Sequence, residues 1–355
     1  MKARFWDTAE GKVACHLCPH ECRIAEGKTG ICGVRKNMEG ELIALSYGRA
    51  SSMNVDPIEK KPLFHFHPGK EVLSFGSVGC NLGCLHCQNF SISQAKITDV
   101  PLRDLKPDDV PELVRKSSCE GVAWTYNEPT MWHEFVYDAS KACKAKGQFT
   151  AFVTNGFINE EPVKKLAEVI DAANIDVKGF RDEFYRKICK ARLQPVLDTV
   201  ELAHDLGIHV ELTYLIITGR NDSKEEISDF CRWVAGIDVH MPVHFSRFHP
   251  DYLLNDIPAT PIKTMEMAHT EAVQAGLGFV YLGNIATTTG ENTKCPKCGS
   301  LAVRRLGFRT EIVAMDKNGN CDNCGEHLNM ISDEMHRSAD PDGSHQTAGI
   351  PPQKV

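Results

Sequence analysis

Residues 71–87 read EVLSFGSVGCNLGCLHC and combine a short apolar run with three closely spaced cysteines. The apolar run is typical of a buried strand, and the cysteines follow it directly, in the turn. In α/β sheets and barrels, ligand-binding residues lie at the carboxyl ends of the parallel strands. The segment therefore predicts an α/β protein with a functional cysteine loop after its first core strand.

Six further apolar runs follow this loop at the spacing of strand–helix units. The seven predicted strands are 73–79, 121–126, 149–155, 174–178, 209–217, 242–248 and 278–284. Apolar residues recur at helical spacing between them, and Ser223 with Glu226 forms a capping-box pattern. This alternation indicates a parallel sheet with right-handed crossovers. An open doubly wound sheet and a partial or full barrel both fit the pattern.

Composition limits the class of protein. The 355 residues are 42% hydrophobic and 25% charged, and no apolar run approaches the ~18 residues that would indicate a membrane span. The first residues lack the apolar stretch of a secretory signal, so we expect a cytoplasmic protein. A net charge of -7 makes nucleic acid an unexpected partner.

Fifteen cysteines are the unusual feature of the composition. Cytoplasmic thiols stay reduced, so clustered cysteines indicate metal ligands rather than disulfides. Eleven form three groups: Cys15, Cys18, Cys22 and Cys32; Cys80, Cys84 and Cys87; Cys295, Cys298, Cys321 and Cys324. Four are single and are expected to be small buried hydrophobes: Cys119, Cys143, Cys189 and Cys231.

The middle group has the form CxxxCxxC, at Cys80, Cys84 and Cys87. Three thiolates on one loop can hold three corners of a [4Fe–4S] cube and leave the fourth iron open to a ligand. The alternative is a zinc site completed by His86 or another residue.

This motif resembles the defining motif of the radical S-adenosylmethionine (radical SAM) superfamily. The resemblance implies a partial (β/α)6 TIM-type barrel and S-adenosylmethionine (SAM) bound to the open iron. It also implies that a reduced cluster cleaves SAM to a 5′-deoxyadenosyl radical, which abstracts hydrogen from a substrate. An electron donor such as flavodoxin or ferredoxin would be required.

A closer resemblance spans most of the chain. Its motifs include CHLCPHEC, NVDPIEKKPLFHFHPG, CNLGCLHCQNFSIS, WTYNEPT, VTNGF, IDVKGF and TGRNDS. Together they are similar to the radical SAM enzyme of the AmmeMemoRadiSam system, a group similar to pyruvate formate-lyase activating enzymes. The resemblance implies AMMECR1-like and Memo-like partners. It also allows an activating enzyme whose target is a protein glycine.

The resemblance extends to single residues around SAM. Glu128, in YNEP, matches the acidic residue that holds the SAM ammonium, although Tyr126 and Asn127 replace two glycines there. Asn155 matches the end of the third strand. His86 stands at an aromatic position near adenine.

Two strand ends further along complete the predicted SAM site. Asp176 and Lys178 alternate in IDVKG and therefore face one side of their strand. The resemblance implies that they lie over the SAM carboxylate and ribose. Asn221 and His249, at later strand ends, resemble contacts of the SAM and substrate mouth.

The first 45 residues are predicted to form a small module held by a metal, ahead of a core at 46–290. Its four cysteines have the spacing Cx2Cx3Cx9C, with His16 and His20 between them. They can hold zinc or a second iron–sulfur cluster, and the spacing does not decide. A cluster could relay electrons to the Cys80 loop if the fold places the two close together.

Residues 291–331 are predicted to form a zinc-ribbon-like module with two CxxC pairs; a rubredoxin-like iron site is the alternative. A small basic patch in its sequence, formed by Arg304, Arg305 and Arg309, would suit a module that binds nucleic acid or protein. The alternative role is a structural cap on the barrel. Residues 332–355 have the composition of a disordered tail.

One more motif, PLFHFHPG, places His65 and His67 on one side of an extended segment. Such a pair can bind metal or move protons, or the segment can be a structural edge strand.

Two functions from different classes follow. The leading hypothesis is a radical SAM enzyme with an unknown substrate. The alternative is a zinc-dependent binding or scaffold protein that recognises RNA or a protein partner.

Overall fold

The computed structural model describes residues 1–9, 11–285 and 290–332. The tail predicted at 332–355 therefore lies, after its first residue, outside the described residues. Within the described ranges, every helix is too short or too polar to cross a membrane.

The strands, in chain order, are β1 (Trp6–Ala9), β2 (Lys12–Cys15), β3 (Arg23–Ile24), β4 (Arg35–Met38), β5 (Glu41–Ala44), β6 (Arg49–Ala50), β7 (Ser52–Pro57), β8 (Glu71–Gly76), β9 (Arg103–Asp104), β10 (Gly121–Trp124), β11 (Phe149–Thr154), β12 (Ala172–Asp176), β13 (His209–Ile216), β14 (Val243–Arg247), β15 (Val280–Gly283), β16 (Thr293–Lys294), β17 (Leu301–Leu306) and β18 (Arg309–Ile312).

The helices are α1 (Phe90–Ser93), α2 (Val110–Lys116), α3 (His133–Lys144), α4 (Glu160–Ala167), α5 (Asp182–Phe184), α6 (Gln194–Asp205), α7 (Lys224–Ile237) and α8 (Ile262–Gln274). Short 3-10 turns cover Ile58–Lys60, Pro107–Asp109 and Pro129–Trp132, and a π-helical turn covers Tyr185–Cys189.

The central sheet has eight strands in the order β15-β14-β13-β12-β11-β10-β8-β7. All pair in parallel except β7, which is antiparallel to β8 at one edge. The seven parallel strands are those predicted from the sequence, and β7 was not predicted. Each new parallel strand joins the same edge, so right-handed crossovers place the helices on one face. The order excludes a doubly wound sheet and confirms the partial-barrel prediction.

The two faces of this sheet differ in chemistry. Apolar side chains on one face pack against the helices, among them Leu73, Val122 and Trp124. The opposite face carries buried polar groups such as Asn174 and Glu211. Because the helices cover only one face, the polar face is the interior of the partial barrel.

The N-terminal strands form small sheets of their own, β1-β2-β3 and β4-β5. They are attached to α3 by a buried ion pair in which the Arg35 guanidinium lies 2.9 Å from the Glu134 carboxylate. Asn159, at the start of α4, donates to the His16 carbonyl at 2.9 Å. These contacts place residues 1–45 near the carboxyl ends of the core strands.

The C-terminal strands β16–β18 lie against the other end of the sheet. There, the Glu211 carboxylate accepts hydrogen bonds from the backbone N–H groups of Phe64 (3.0 Å) and His65 (2.7 Å). Arg305 donates to the Phe64 carbonyl at 2.6 Å. The segment 62–69 therefore fills the amino-terminal end of the barrel between the sheet and the C-terminal module.

This packing settles two expectations. His65 is buried with Nε2 2.6 Å from the Tyr281 hydroxyl and Nδ1 2.9 Å from the Leu328 carbonyl, so its role is structural. The predicted basic patch is wrong for Arg305, which is buried. Arg305 contacts Phe64 and Thr293 instead of solvent.

Candidate functional site

The cysteine loop begins directly after β8, at the carboxyl end of the parallel sheet. Asn127 fixes its first turn: its Oδ1 accepts from the Ser77 N–H and its Nδ2 donates to the Gly79 carbonyl, both at 2.9 Å. Gly79 has φ +91°, and a Cβ there would lie 2.6 Å from the Cys32 carbonyl oxygen. The turn therefore requires glycine, and it packs directly on the N-terminal module.

Of the three cysteines of this loop, Cys84 is buried and Cys80 and Cys87 are half-buried. Burial, followed by the charge of Glu128, raises the pKa of Cys80. The hydrogen bond that the Cys84 thiol donates to Cys189, followed by burial, raises the pKa of Cys84. Such thiols become thiolates when a metal binds, so the loop fits a metal centre.

Glu128 is buried beside Cys80 and accepts three hydrogen bonds. They come from the Thr130 N–H (3.0 Å), the Thr154 hydroxyl (2.7 Å) and the Asn155 N–H (2.8 Å). Burial raises its pKa against these donors. The Glu128 carboxylate thus joins the ends of β10 and β11 next to the cysteine loop.

Asn155 links the end of β11 to the cysteine loop. Its Nδ2 lies 3.6 Å from the Cys80 sulfur and 2.9 Å from Oδ1 of Asn81. Its own Oδ1 accepts from the Phe157 N–H at 2.9 Å. An amide donor at this sulfur stabilises a thiolate there.

Asp176 and Lys178 form an ion pair at the end of β12, with 2.7 Å between Nζ and Oδ2. Although burial opposes it, the negative charge of Asp176 raises the pKa of Lys178. Asn221 donates to the Lys178 carbonyl at 2.8 Å and so supports this strand end. A fixed cation therefore lies beside the cysteine loop.

The two predicted histidines occupy different surroundings. His86 is buried, and its Nδ1 has no hydrogen-bond partner among the described residues. Burial, then the charge of Lys178, lowers its pKa to about 3, so it is neutral at pH 7. His249 is exposed at the rim, with Nε2 3.1 Å from the Gln88 amide nitrogen.

Two supporting features were missed in the sequence. Asn127 stands where the family motif has a glycine, and its side chain holds the loop. The π-helical turn Tyr185–Cys189 backs the loop, because the Cys189 carbonyl accepts from the Gly83 N–H at 2.9 Å. π-Helical turns are frequent at functional sites, but no sequence signal marks this one.

The N-terminal cysteines Cys15, Cys18, Cys22 and Cys32 line one cavity beside Asn81, the residue after Cys80. The fold therefore brings this group next to the loop, as the electron-relay hypothesis requires.

The ribbon cysteines Cys295, Cys298, Cys321 and Cys324 lie together at the opposite end of the sheet. Their four sulfur atoms are all within 4.8 Å of one another, with Cys295–Cys324 and Cys298–Cys321 both at 3.6 Å. These four thiols can hold one metal ion. Within the described ranges, this is the one group of three or more metal-ligating side chains drawn so close.

Comparison with known proteins agrees with this geometry. A family model for the radical SAM superfamily matches residues 75–234, from β8 to α7. The chain is 45% identical over 333 residues to the uncharacterized protein MJ0808 of Methanocaldococcus jannaschii, covering 93% of this chain and 99% of that protein.

Activating enzymes are more distant relatives. The chain is 26% identical to the pyruvate formate-lyase 1-activating enzyme of Escherichia coli, over 56% of this chain and 87% of that enzyme. It is 28% identical to the 4-hydroxyphenylacetate decarboxylase activating enzyme of Clostridioides difficile, over 41% of this chain and 49% of that enzyme. The range matched by the superfamily model, residues 75–234, contains the cysteine loop and the ends of strands β10 to β13.

Proposed function

We propose that the chain is a member of the radical SAM superfamily, whose family model matches residues 75–234, and that it binds a [4Fe–4S] cluster on Cys80, Cys84 and Cys87 and uses SAM to abstract hydrogen from a substrate. One observation carries the proposal: three buried or half-buried thiols at the carboxyl end of the first parallel strand, beside the cation of Lys178 and the amide of Asn155. Once reduced by a donor protein, such a cluster would supply the electron that cleaves SAM to methionine and a 5′-deoxyadenosyl radical.

The chain's own residues prepare this site. Asn155 donates to the Cys80 sulfur, and Cys189 hydrogen-bonds to Cys84. Lys178 offers positive charge for a carboxylate, and Glu128 offers negative charge for an ammonium group. Neutral, buried His86 fits a stacking position near adenine. His249 and Gln88 lie at the mouth, where a substrate would enter.

Within this class, we favour an activating enzyme that takes hydrogen from a glycine of a partner protein. The homology to two activating enzymes supports this choice. Membership of the AmmeMemoRadiSam system, with AMMECR1-like and Memo-like partners and a flavodoxin or ferredoxin donor in the cytoplasm, is the context we propose. We also propose zinc as the metal of the ribbon.

The test is anaerobic. The protein is reconstituted with iron and sulfide, reduced and mixed with SAM, and 5′-deoxyadenosine is quantified. We expect product from the wild type and from C143A, which removes a buried single thiol on α3, and none from C84A. A filled cluster without product in the wild type would contradict the proposal and favour the zinc scaffold.

A further inference from the structure

We propose that Cys15, Cys18, Cys22 and Cys32 hold a second [4Fe–4S] cluster rather than zinc. This goes beyond the function proposed for the Cys80 loop, because it assigns a separate site built by a different part of the chain.

The first argument is the ligand set. All four cysteines line a single small cavity of about 10 Å³, and Arg35 and Asn81 also lie in its wall. Four thiols around one cavity supply the four protein ligands that a [4Fe–4S] cluster takes.

The second argument is the spacing of the sulfur atoms. Tetrahedral zinc binds thiolates at about 2.3 Å, which places sulfur atoms about 3.8 Å apart, and the ribbon cysteines meet this spacing. Among the described residues, neither the N-terminal four nor the three of the Cys80 loop form such a compact group. Thiolates that bind separate corners of an iron–sulfur cube need this wider spacing.

The third argument is charge. Arg35 is 1% exposed, and its Nε has no hydrogen-bond partner among the described residues. Its other nitrogens are bound to Glu134 and the Arg4 carbonyl. A buried N–H group without a partner is costly, and it lies in the wall of a cavity lined by four thiols. The negatively charged sulfur of a cluster would satisfy it.

The nearby histidines do not complete a zinc site. His16 points to the surface, where it pairs with Glu21 and Asp7. His20 has its Nε2 2.7 Å from the Asn81 carbonyl oxygen. The four thiols are therefore the available ligand set.

The cavity lies next to the Cys80 loop. The Asn81 side chain hydrogen-bonds to Cys18 and accepts from Asn155, which in turn reaches the Cys80 sulfur. The Gly79 turn packs on the Cys32 carbonyl. The two sites are thus neighbours through short polar contacts. These contacts would let this site pass one electron, received from a low-potential carrier protein, to the loop.

Metal analysis of reconstituted protein tests the assignment without relying on activity. The wild type should hold about eight iron and eight sulfide per chain, two cubes of four each. The double variant C18A/C22A and the triple variant C80A/C84A/C87A should each keep about four. The control C143A should match the wild type.

Electron paramagnetic resonance of the reduced proteins tests the proximity. The wild-type spectrum should be broadened relative to the sum of the two variant spectra, because neighbouring paramagnetic clusters interact. A wild-type spectrum equal to that sum would overturn the neighbouring arrangement.

The triple variant retains the intact N-terminal site, so it decides the matter even if C18A/C22A fails to fold. A triple variant with no iron, or with a second zinc in place of iron, would overturn the inference. If the triple variant keeps four irons while the wild type forms no 5′-deoxyadenosine, the second cluster stands and the proposed function fails.

Discussion

The side chains around the cysteine loop are held by neighbours from several strands. Glu128 accepts from residues of β11 and of the turn before α3, and Asn155 spans from β11 to both Cys80 and Asn81. Buried polar groups need such partners. Each of these residues therefore aligns the loop at the same time as it faces the proposed SAM site.

Cys189 offers a test at this scale, because its thiol is in hydrogen-bond contact with Cys84. A Cys84 thiolate bound to iron has no proton to donate, so the Cys189 thiol would then be the donor. Hydrogen bonds to cluster sulfur influence the reduction potential, and a donor stabilises the more negative reduced state. We expect C189A to keep the iron content of the wild type but to have a lower reduction potential. A redox titration followed by electron paramagnetic resonance measures it, with C143A as control; an unchanged potential would contradict the assignment.

His133 gives a pH-dependent prediction. Burial lowers its pKa to about 4, against about 6.5 in an unfolded chain. As the pH falls below about 6.5, the unfolded state binds the proton first, so stability is retained above this pH and lost between it and about 4. The loss between pH 7 and pH 5 is about 2 kcal/mol from this group.

Urea unfolding at both pH values measures the effect. In H133F, the difference in unfolding free energy between pH 7 and pH 5 should shrink by that amount. The same pH dependence in variant and wild type would refute the prediction.

At the scale of elements, a residue of a local helix cap can also make tertiary contacts, as Glu226 does. Ser223 caps α7 by accepting from the Glu226 N–H at 3.2 Å, as the capping pattern predicts. The Glu226 carboxylate, however, accepts from the Phe180 N–H (2.7 Å) and the Tyr214 hydroxyl (3.0 Å). The helix start is therefore also a support for the segment after β12.

Two glycines in regular elements should respond in opposite directions to alanine. At Gly121, the first residue of β10, a Cβ would lie 2.2 Å from the Phe149 ring on β11. We expect G121A to destabilise the protein by about 1–3 kcal/mol through overpacking. At Gly236, in α7, a Cβ meets nothing within 4 Å, so G236A should stabilise by up to about 1 kcal/mol.

Chemical denaturation of both variants provides the measurement. G236A is the control for glycine replacement as such, since its helix gains a better former without a clash. If both substitutions changed the free energy of unfolding equally, a clash between a Cβ at Gly121 and Phe149 could not be the cause, and the prediction would be wrong.

At the scale of the molecule, the two ends of the central sheet carry different cysteine groups. The cysteine loop and the N-terminal cavity lie at its carboxyl end, whereas the ribbon covers its amino-terminal end through Arg305, Phe64 and Tyr281. A metal bound by Cys295, Cys298, Cys321 and Cys324 would therefore lie at the end of the sheet opposite the loop. Its contacts support the role of a cap that closes the barrel.

Loss of the ribbon metal should loosen this cap. We expect C321A to lose one metal ion and to lower the protection of amides in 62–69 by at least about tenfold, or about 1.4 kcal/mol. Iron on the Cys80 loop should not change. Hydrogen exchange and metal analysis test both parts; unchanged protection, or loss of the loop iron, would contradict the prediction.

The seven parallel strands and the cysteine motif were predictable from sequence, because periodicity and ligand spacing are local properties of the chain. Strand order was not, since an alternating pattern fits both a doubly wound sheet and a barrel. The sequence could not tell that Arg305 is buried under Phe64, nor that Asn127 holds the Gly79 turn.

The neighbouring positions of Cys18, Asn81 and Cys80 were also decided only in three dimensions. They come from packing between residues 1–45 and the ends of β8, β10 and β11. These contacts join residues far apart in the chain; Asn159 and His16, for example, are 143 residues apart. By itself the sequence determined which thiols form groups. Only the tertiary structure decided which groups are neighbours, because long-range packing leaves no periodic trace in the chain.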